Sequence, residues 1–382
     1  MGQARCRHLE SQDRLARQDA GRIDGAQAVE CKSTGLNGPA RSGVVMSKVV
    51  FAAGTSHTPL LTFGAALSQE YSQRDTRNER LNLSDGSFIA YGDLLARVQA
   101  RHGVEATEAV FLAREKICQA SLSRIATELQ EAKPDVVLIL TDDESELFSR
   151  ANTPAVSIYY GDTIITRPFS SKMLDLDDPP PYFVEMAKHY AMDEPRSFPA
   201  MGSFGRELIE KLIERHIDVG AAGQVEEPLR SGFGHGIGFV IQRLFGGRDI
   251  PVIPVLFNTY YPPNAPVPAR CLDIGRALRA SIDESTQDLR VALIASGGLS
   301  HFIVEEELDR KILRALRDGD SESLRRIPVG ALNSGSSEIR NWIAMAGGLA
   351  GLQLKWLEYQ PIYRTPAGTG IGTAFGVWRE AR

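Results

Sequence analysis

Seven histidines occur in the 382-residue chain, and His57, His235 and His301 stand out because each lies in a turn-like context beside Gly or Ser. Two of them follow short apolar runs. Val49–Ala53 leads into Gly54-Thr55-Ser56-His57-Thr58-Pro59, and Val291–Ala295 leads into Ser296-Gly297-Gly298-Leu299-Ser300-His301, with Glu305-Glu306-Glu307 behind it. Val136–Leu140 runs into Thr141-Asp142-Asp143-Glu144-Ser145-Glu146, and Val252–Phe257 into Asn258-Thr259-Tyr260-Tyr261-Pro262-Pro263-Asn264. Any one of these histidines alone is as well explained by a structural hydrogen bond, and the acidic run by a solvated loop. Three such histidines together, and an acidic run directly after an apolar strand, favour a site. Imidazoles and carboxylates without a thiolate cluster suit Fe(II), Mn(II) or Zn(II) better than copper or iron–sulfur. Two His and one carboxylate on one face leave positions open for substrate and oxygen on iron. His57 with Glu307 supplies two such donors, and spacing leaves the third open.

The elements that must position these groups read as strands alternating with helices. The strand set is Val49–Ala53, Val136–Leu140, Ala155–Tyr160, Val252–Phe257 and Val291–Ala295, joined near the end by Gln353–Tyr359 and Ala374–Trp378. Helical period runs through Thr107–Glu131, Phe204–Ile213, Gly238–Phe245, Glu305–Arg317 and Ser337–Leu349. The expectation is an α/β fold: a single layered domain with a central, mostly parallel sheet flanked by helices. In such sheets ligands bind beyond the carboxyl ends of the strands, where the polar runs above lie. Residues 1–45 are polar, Arg-rich and without apolar period, and read as a disordered extension; the catalytic α/β domain is expected over 46–382. Asp75–Asp93 and Asp175–Pro181 read as excursions over a pocket.

Composition narrows the classes. With 43 Lys plus Arg against 48 Asp plus Glu and 43% hydrophobic residues, the chain reads as a globular protein of mildly acidic balance. Nothing approaches the ~18 consecutive apolar residues of a membrane span, and no basic stripe suggests nucleic acid. Four cysteines without a CxxC pair suit a reducing cytoplasm. Gly368-Thr369-Gly370-Ile371-Gly372 departs from the dinucleotide-binding pattern, and Gly298-Leu299-Ser300-His301-Phe302 lacks the second glycine of a nucleophile elbow.

Taken in order, GTSHTP, the GHG at Gly234-His235-Gly236, NTYYPPN, SGGLSH with EEELDR, SGSSEIRNW and TPAGTG resemble the class III extradiol ring-cleavage dioxygenases. The likeness is nearest to the catalytic-subunit type of protocatechuate, gallate and methylgallate dioxygenases, and it runs from about Met46 onward. It implies one non-haem Fe(II), O2 and a small aromatic substrate, no nucleic acid or membrane partner, and leaves a homo-oligomer open. Position by position, His57 matches the first His ligand, Glu307 the carboxylate ligand and His235 the acid–base His, with His301 lining the same pocket. Two departures stand out. Where better-known members carry Asp-His, this chain reads Asp143-Glu144, so Glu144 is the candidate for the remaining ligand, with Glu146 and Asp143 as rivals. Glu207 falls where relatives carry a second pocket His. For the acid group of a substrate, Tyr260, Ser300, Arg340 and Arg364 are candidate anchors.

Two other readings use the same residues. A metal-dependent hydrolase or lyase would use Zn(II) to activate water. A non-catalytic relative would follow from Glu standing at two expected His positions.

Overall fold

The computed structural model describes residues 45–169 and 179–381. The expectation for residues 1–45 therefore falls outside the described residues, Val45 excepted, and so does most of Asp175–Pro181. The strands are β1 (Lys48–Thr55), β2 (Leu81–Asn82), β3 (Phe88–Ile89), β4 (Val136–Asp142), β5 (Val156–Tyr159), β6 (Thr163–Ile165), β7 (Ser197–Pro199), β8 (Gly220–Ala222), β9 (Val252–Phe257), β10 (Arg290–Ser296), β11 (His301–Ile303), β12 (Leu352–Tyr363) and β13 (Thr369–Glu380). Nine of them form one sheet, in the order β11-β13-β1-β10-β4-β9-β5-β8 with β12 paired to β13; β2–β3 and β6–β7 are small separate ribbons.

The sheet is mixed, not mostly parallel. Its centre, β1-β10-β4-β9, is parallel throughout, but β5 runs antiparallel to β9, and β13 is antiparallel to β1, β11 and β12. A strand covered on both faces is apolar whichever way its neighbour runs, so the sequence pattern carries no direction.

Two apolar layers sandwich the centre. Val136, Leu138 and Leu140 of β4 face one layer, with residues of the helices Gly202–Glu214, Pro268–Asp283, Glu306–Asp318 and Ile339–Gly347. Val137 and Ile139 face the other, with residues of Glu108–Ala132 and His235–Leu244. This is the period-two alternation of a strand. In β1 the alternation breaks at a register shift between Val49 and Phe51. Val49 and Ala52 belong to the first layer and Val50, Phe51 and Ala53 to the second, as a bulge with one extra residue requires.

The four parallel strands end together. Thr55 pairs with Ser296, Ala295 with Leu140 and Asp142 with Phe257. The segments carrying His57, Asp142–Glu146, Asn258–Tyr260 and Ser296–His301 thus leave the sheet along one edge.

Candidate active site

His57 follows β1 and is buried. The Tyr190 hydroxyl donates to its backbone carbonyl at 2.6 Å. The Ser296 hydroxyl donates to the Gly236 carbonyl at 2.8 Å, so the same oxygen can only accept from His57 Nδ1, 2.9 Å away. In the neutral imidazole the proton is thereby placed on Nδ1 and Nε2 keeps its lone pair. That Nε2 is buried without a hydrogen-bond partner, and it lies 3.3 Å from Glu338 Oε2. A bare imidazole nitrogen facing a carboxylate oxygen sets acceptor against acceptor, an arrangement that a cation between them resolves.

Glu338 closes the short turn Ser334–Glu338 that enters the helix Ile339–Gly347. Its Oε2 accepts from the Gly298 backbone N–H at 2.6 Å, and its Oε1 lies 3.1 Å from His301 Nε2. His301 Nδ1 points at the Leu299 carbonyl, 2.8 Å away. Both ring nitrogens of His301 therefore face acceptors, which describes an imidazolium. Burial works against that charge, but the Glu338 carboxylate prevails and the His301 pKa is raised. Burial likewise works to raise the Glu338 pKa, yet the charge and hydrogen bond of His301 hold it well below the usual carboxylate range.

The loop after β4 assigns its carboxylates separate tasks. Asp143 accepts from the backbone N–H groups of Leu147 and Phe148 at 2.7 and 3.1 Å, and so is turned into its own loop. Glu146 accepts from the Glu144 backbone through Oε2, and its Oε1 takes both the backbone N–H of His235 and the Nδ1 of the ring, at 3.2 and 2.7 Å. The preceding Gly234 has no side chain to cap the helix His235–Leu244, so Glu146 performs that duty from across the site, where a negative charge is favoured. A Cβ on Gly234 would overlap the Glu146 carboxyl. Against the cost of burial, the charge and hydrogen bond of Glu146 raise the His235 pKa well above its ordinary value. Glu144 remains uncommitted, opening onto the cavity while ringed by protein. Burial pushes its pKa up to about 8.

Two sets of donor atoms lie within 4.8 Å of one another: His57, His235 and Glu338, and Asp142, Glu144, His235 and Glu338. Asp142 is buried and its Oδ2 has no partner; burial, with the Glu338 charge beside it, raises its pKa. His57, Glu144, His235 and Glu338 border a cavity of about 340 Å³ whose remaining wall includes Thr58, Tyr71, Phe169, Tyr190, Tyr260 and Arg364, a size suited to a single small ligand.

A family model described as the catalytic LigB subunit of aromatic ring-opening dioxygenase matches residues 110–375, well over half of the chain. The chain belongs to this family. Among curated relatives of the ring-opening dioxygenases, the gallate dioxygenase of Pseudomonas putida is 30% identical over 136 residues, 32% of this chain and 38% of the relative. The 2,3-dihydroxyphenylpropionate/2,3-dihydroxicinnamic acid 1,2-dioxygenase of Comamonas testosteroni is 32% identical over 102 residues, 26% of this chain and 29% of that protein. The protein of the same name from Mycobacterium ulcerans is 43% identical over 68 residues, 18% of this chain and 21% of its own length. The chain therefore matches well under half the length of each of these relatives.

Of the residues expected at the ring-opening site, the structure brings together His57, Glu144, His235, His301 and Tyr260 around one cavity. It does not bring Glu307 there. Glu307 is exposed on the helix Glu306–Asp318, whose period turns Leu308, Asp309 and Ile312 inward. The carboxylate beside His57 is that of Glu338, which sequence reasoning missed. Its signal lay in SGSSEIRNW: a charged residue at the head of a largely apolar helix needs buried partners. Ser300 is also displaced from its expected place. Its hydroxyl donates to Asp309 at 2.7 Å and accepts from the Glu305 backbone at 2.8 Å, so it pins β11 to the following helix. Glu207 lies on the helix Gly202–Glu214 and pairs with Ser285 and Gln287, outside the cavity lining. Arg340 is buried against the carbonyls of Pro266 and Leu332 and serves the fold.

Proposed function

We propose that this chain is a non-haem Fe(II)-dependent extradiol dioxygenase that opens the ring of a catecholic or gallate-type acid with O2. The observation that carries the reading is the buried His57 Nε2, without a hydrogen-bond partner, facing Glu338 in a cavity that also holds Glu144 and His235. The family assignment supports it, and the names of the partial relatives point the same way. His57 and Glu338 would hold the metal, with Glu144 the candidate for the remaining position: it gathers with the unpartnered Oδ2 of Asp142 about the same Glu338, in a group of donor atoms that does not include His57. When bound, an Fe(II) ion supplies Lewis acidity towards vicinal phenolic oxygens and a route for electrons between ring and dioxygen.

The residues of the chain supply position and protons. His235 is held through Nδ1 by Glu146, while its Nε2 makes no hydrogen bond among the described residues. That nitrogen is the proton-carrying atom of the cavity, taking a phenolic proton and returning it as the ring opens. Glu146 keeps the imidazole oriented and favours its protonated form, which a bound cation beside it would oppose, so that the ring could both accept the proton and return it. His301 does not face substrate with a free nitrogen; it acts through Glu338, holding that carboxylate ionised. Tyr260, its pKa pushed up to about 12 by burial, stays a neutral hydroxyl at the cavity wall. Phe169, Met186, Tyr190 and Met192 give the cavity an apolar side for an aromatic ring. The described cysteines, Cys118 and Cys271, are free and buried, which supports a reducing, cytoplasmic setting, and among the described residues no helix is long and apolar enough to cross a membrane.

The test is oxygen uptake by the purified protein, loaded anaerobically with Fe(II) and given gallate, methylgallate or protocatechuate. Consumption of one O2 per ring opened supports the reading. Absence of uptake with every catecholic acid, together with Zn(II)-dependent hydrolysis, would replace it by the hydrolase reading.

A further inference from the structure

Four side chains compete as the anchor for the acid group of a substrate, and the structure separates them. Ser300 is spent on Asp309, and Arg340 on backbone carbonyls. Tyr260 is a neutral hydroxyl. Arg364 is different. It lies just after β12, lines the cavity, and its side chain is only 4% exposed. Its Nε donates to Asp75 at 2.8 Å, and the guanidinium lies over the Tyr71 ring, 5.4 Å from its centroid. These contacts engage one of its five N–H donors. Nη2 is buried without a hydrogen-bond partner, and Nη1 makes none among the described residues.

A purely structural Arg–Asp pair usually presents the two-pronged fork to the carboxylate. Here Asp75 takes the single Nε–H, and the forked Nη edge is left unused beside the cavity. An unpaired buried guanidinium edge is costly, and the cost is removed by an anion with two oxygens in one plane. The neighbouring walls, Tyr71, Phe302 and Ile371, are apolar or aromatic and suit a ring attached to that anion. The lining also carries Glu144, Glu146 and Glu338, which repel a carboxylate, and a second guanidinium, Arg167, whose Nη1 is engaged by the Ser145 carbonyl at 2.7 Å; the charge of Arg364 is the one whose Nη donors have no partner among the described residues. We infer that Arg364 is the specificity-determining anchor for the carboxylate of an aromatic acid, binding it side-on through its Nη edge and so fixing which end of the ring meets His57 and Glu338. The inference rests on the ring-opening reading for the fate of the substrate, but not for its binding.

Binding separates the two. Titration calorimetry of the full chain, anaerobic and loaded with Mn(II), compares 3,4-dihydroxybenzoate with catechol, which differ by the carboxylate alone. The wild-type chain is expected to bind the acid about ten- to a hundredfold tighter, the range of a charge-assisted bidentate pair. Arg364→Met brings the ratio to about one by weakening the acid and leaving catechol unchanged. Arg364→Lys, which keeps the charge and loses the fork, gives an intermediate ratio, and Asp75→Asn keeps the wild-type ratio; these two decide the matter should Arg364→Met fail to fold. A wild-type ratio near one, failure of both ligands to bind, or a ratio undiminished in Arg364→Met and Arg364→Lys overturns the assignment. Oxygen uptake by the Fe(II)-loaded chain is scored separately: uptake without acid preference retains the dioxygenase and removes the anchor, and acid preference without uptake does the reverse.

Discussion

His57 Nε2 and Glu338 Oε2 stand 3.3 Å apart without a hydrogen bond, and Ser296, which can only accept from Nδ1, holds the proton of the neutral imidazole on the opposite nitrogen. The pair is a donor set awaiting a cation, and Ser296 is what keeps it so. Ser296→Ala frees the ring to put its proton on Nε2 and bond Glu338 directly. Loss of such an orienting partner lowers metal affinity by roughly ten- to a hundredfold. Mn(II) titration of the metal-free chain checks this, and an unchanged affinity would show that the tautomer is set elsewhere.

Glu338 and Glu307 make opposite predictions. Glu338→Ala removes a carboxylate placed against both His57 and His301, and metal binding and oxygen uptake are expected to fall at least ~100-fold. Glu307→Ala touches an exposed side chain and leaves affinity, uptake and melting temperature nearly unchanged, within about 0.5 kcal/mol in stability. The reverse order of effects would return the ligand role to Glu307.

His235→Ala removes the proton carrier. Turnover is expected to drop about 10²- to 10⁴-fold, while Mn(II) affinity falls much less than in Glu338→Ala. Full turnover in the variant would exclude His235 from proton transfer.

Gly234→Ala forces a methyl group into the Glu146 carboxyl. Overpacking of this kind costs about 1–3 kcal/mol, and the displaced carboxylate releases His235. The expected result is a lower melting temperature together with a turnover loss approaching that of Glu146→Ala. A variant of wild-type stability and activity would show that the loop shifts without cost.

The metal-free chain should be less stable at pH 8 than at pH 5.5. Asp143, raised to about 7, Glu144, raised to about 8, and His301, raised above its ordinary value, each bind more protons when folded than when unfolded in this interval. Stability from such groups declines as pH rises towards the folded pKa. Glu338 and Glu146 have lowered values, and their contribution is lost only on the acid side, below the ordinary glutamate range. Saturating Mn(II) neutralises the carboxylates and should flatten the slope. Thermal melts across the two pH values, with and without metal, measure it; a metal-free melting temperature that rises with pH contradicts the assignment.

Much of this was legible in the sequence, and the failures are instructive. Apolar runs located the strands that carry His57, Asp142–Glu146 and Ser296–His301, because buried central strands leave the plainest pattern. Strand direction was not legible, since β12 and β13 read the same run either way. Glu338 was hidden in a serine- and glycine-rich stretch that resembles a turn, whereas Glu307 stood beside a histidine motif and drew the assignment. Only helical phase distinguishes them: Leu308 and Ile312 face inward, which sends Glu307 to solvent. The rivalry among Asp143, Glu144 and Glu146 was likewise closed to sequence, because the backbone N–H groups that Asp143 and Glu146 accept from are reached only in the fold.

The sheet order has a consequence for how the protein acquires its metal. His57 and Glu338 come from opposite ends of the folded chain, joined only after β1 has paired with β10 and the helix Ile339–Gly347 has docked. During synthesis His57 is exposed long before Glu338 exists. No early fragment presents both residues, so the proposed metal site is complete only in a finished molecule. On the proposed reading, assembly order works as quality control on loading: a copy truncated before Glu338 lacks a donor that the metal would need.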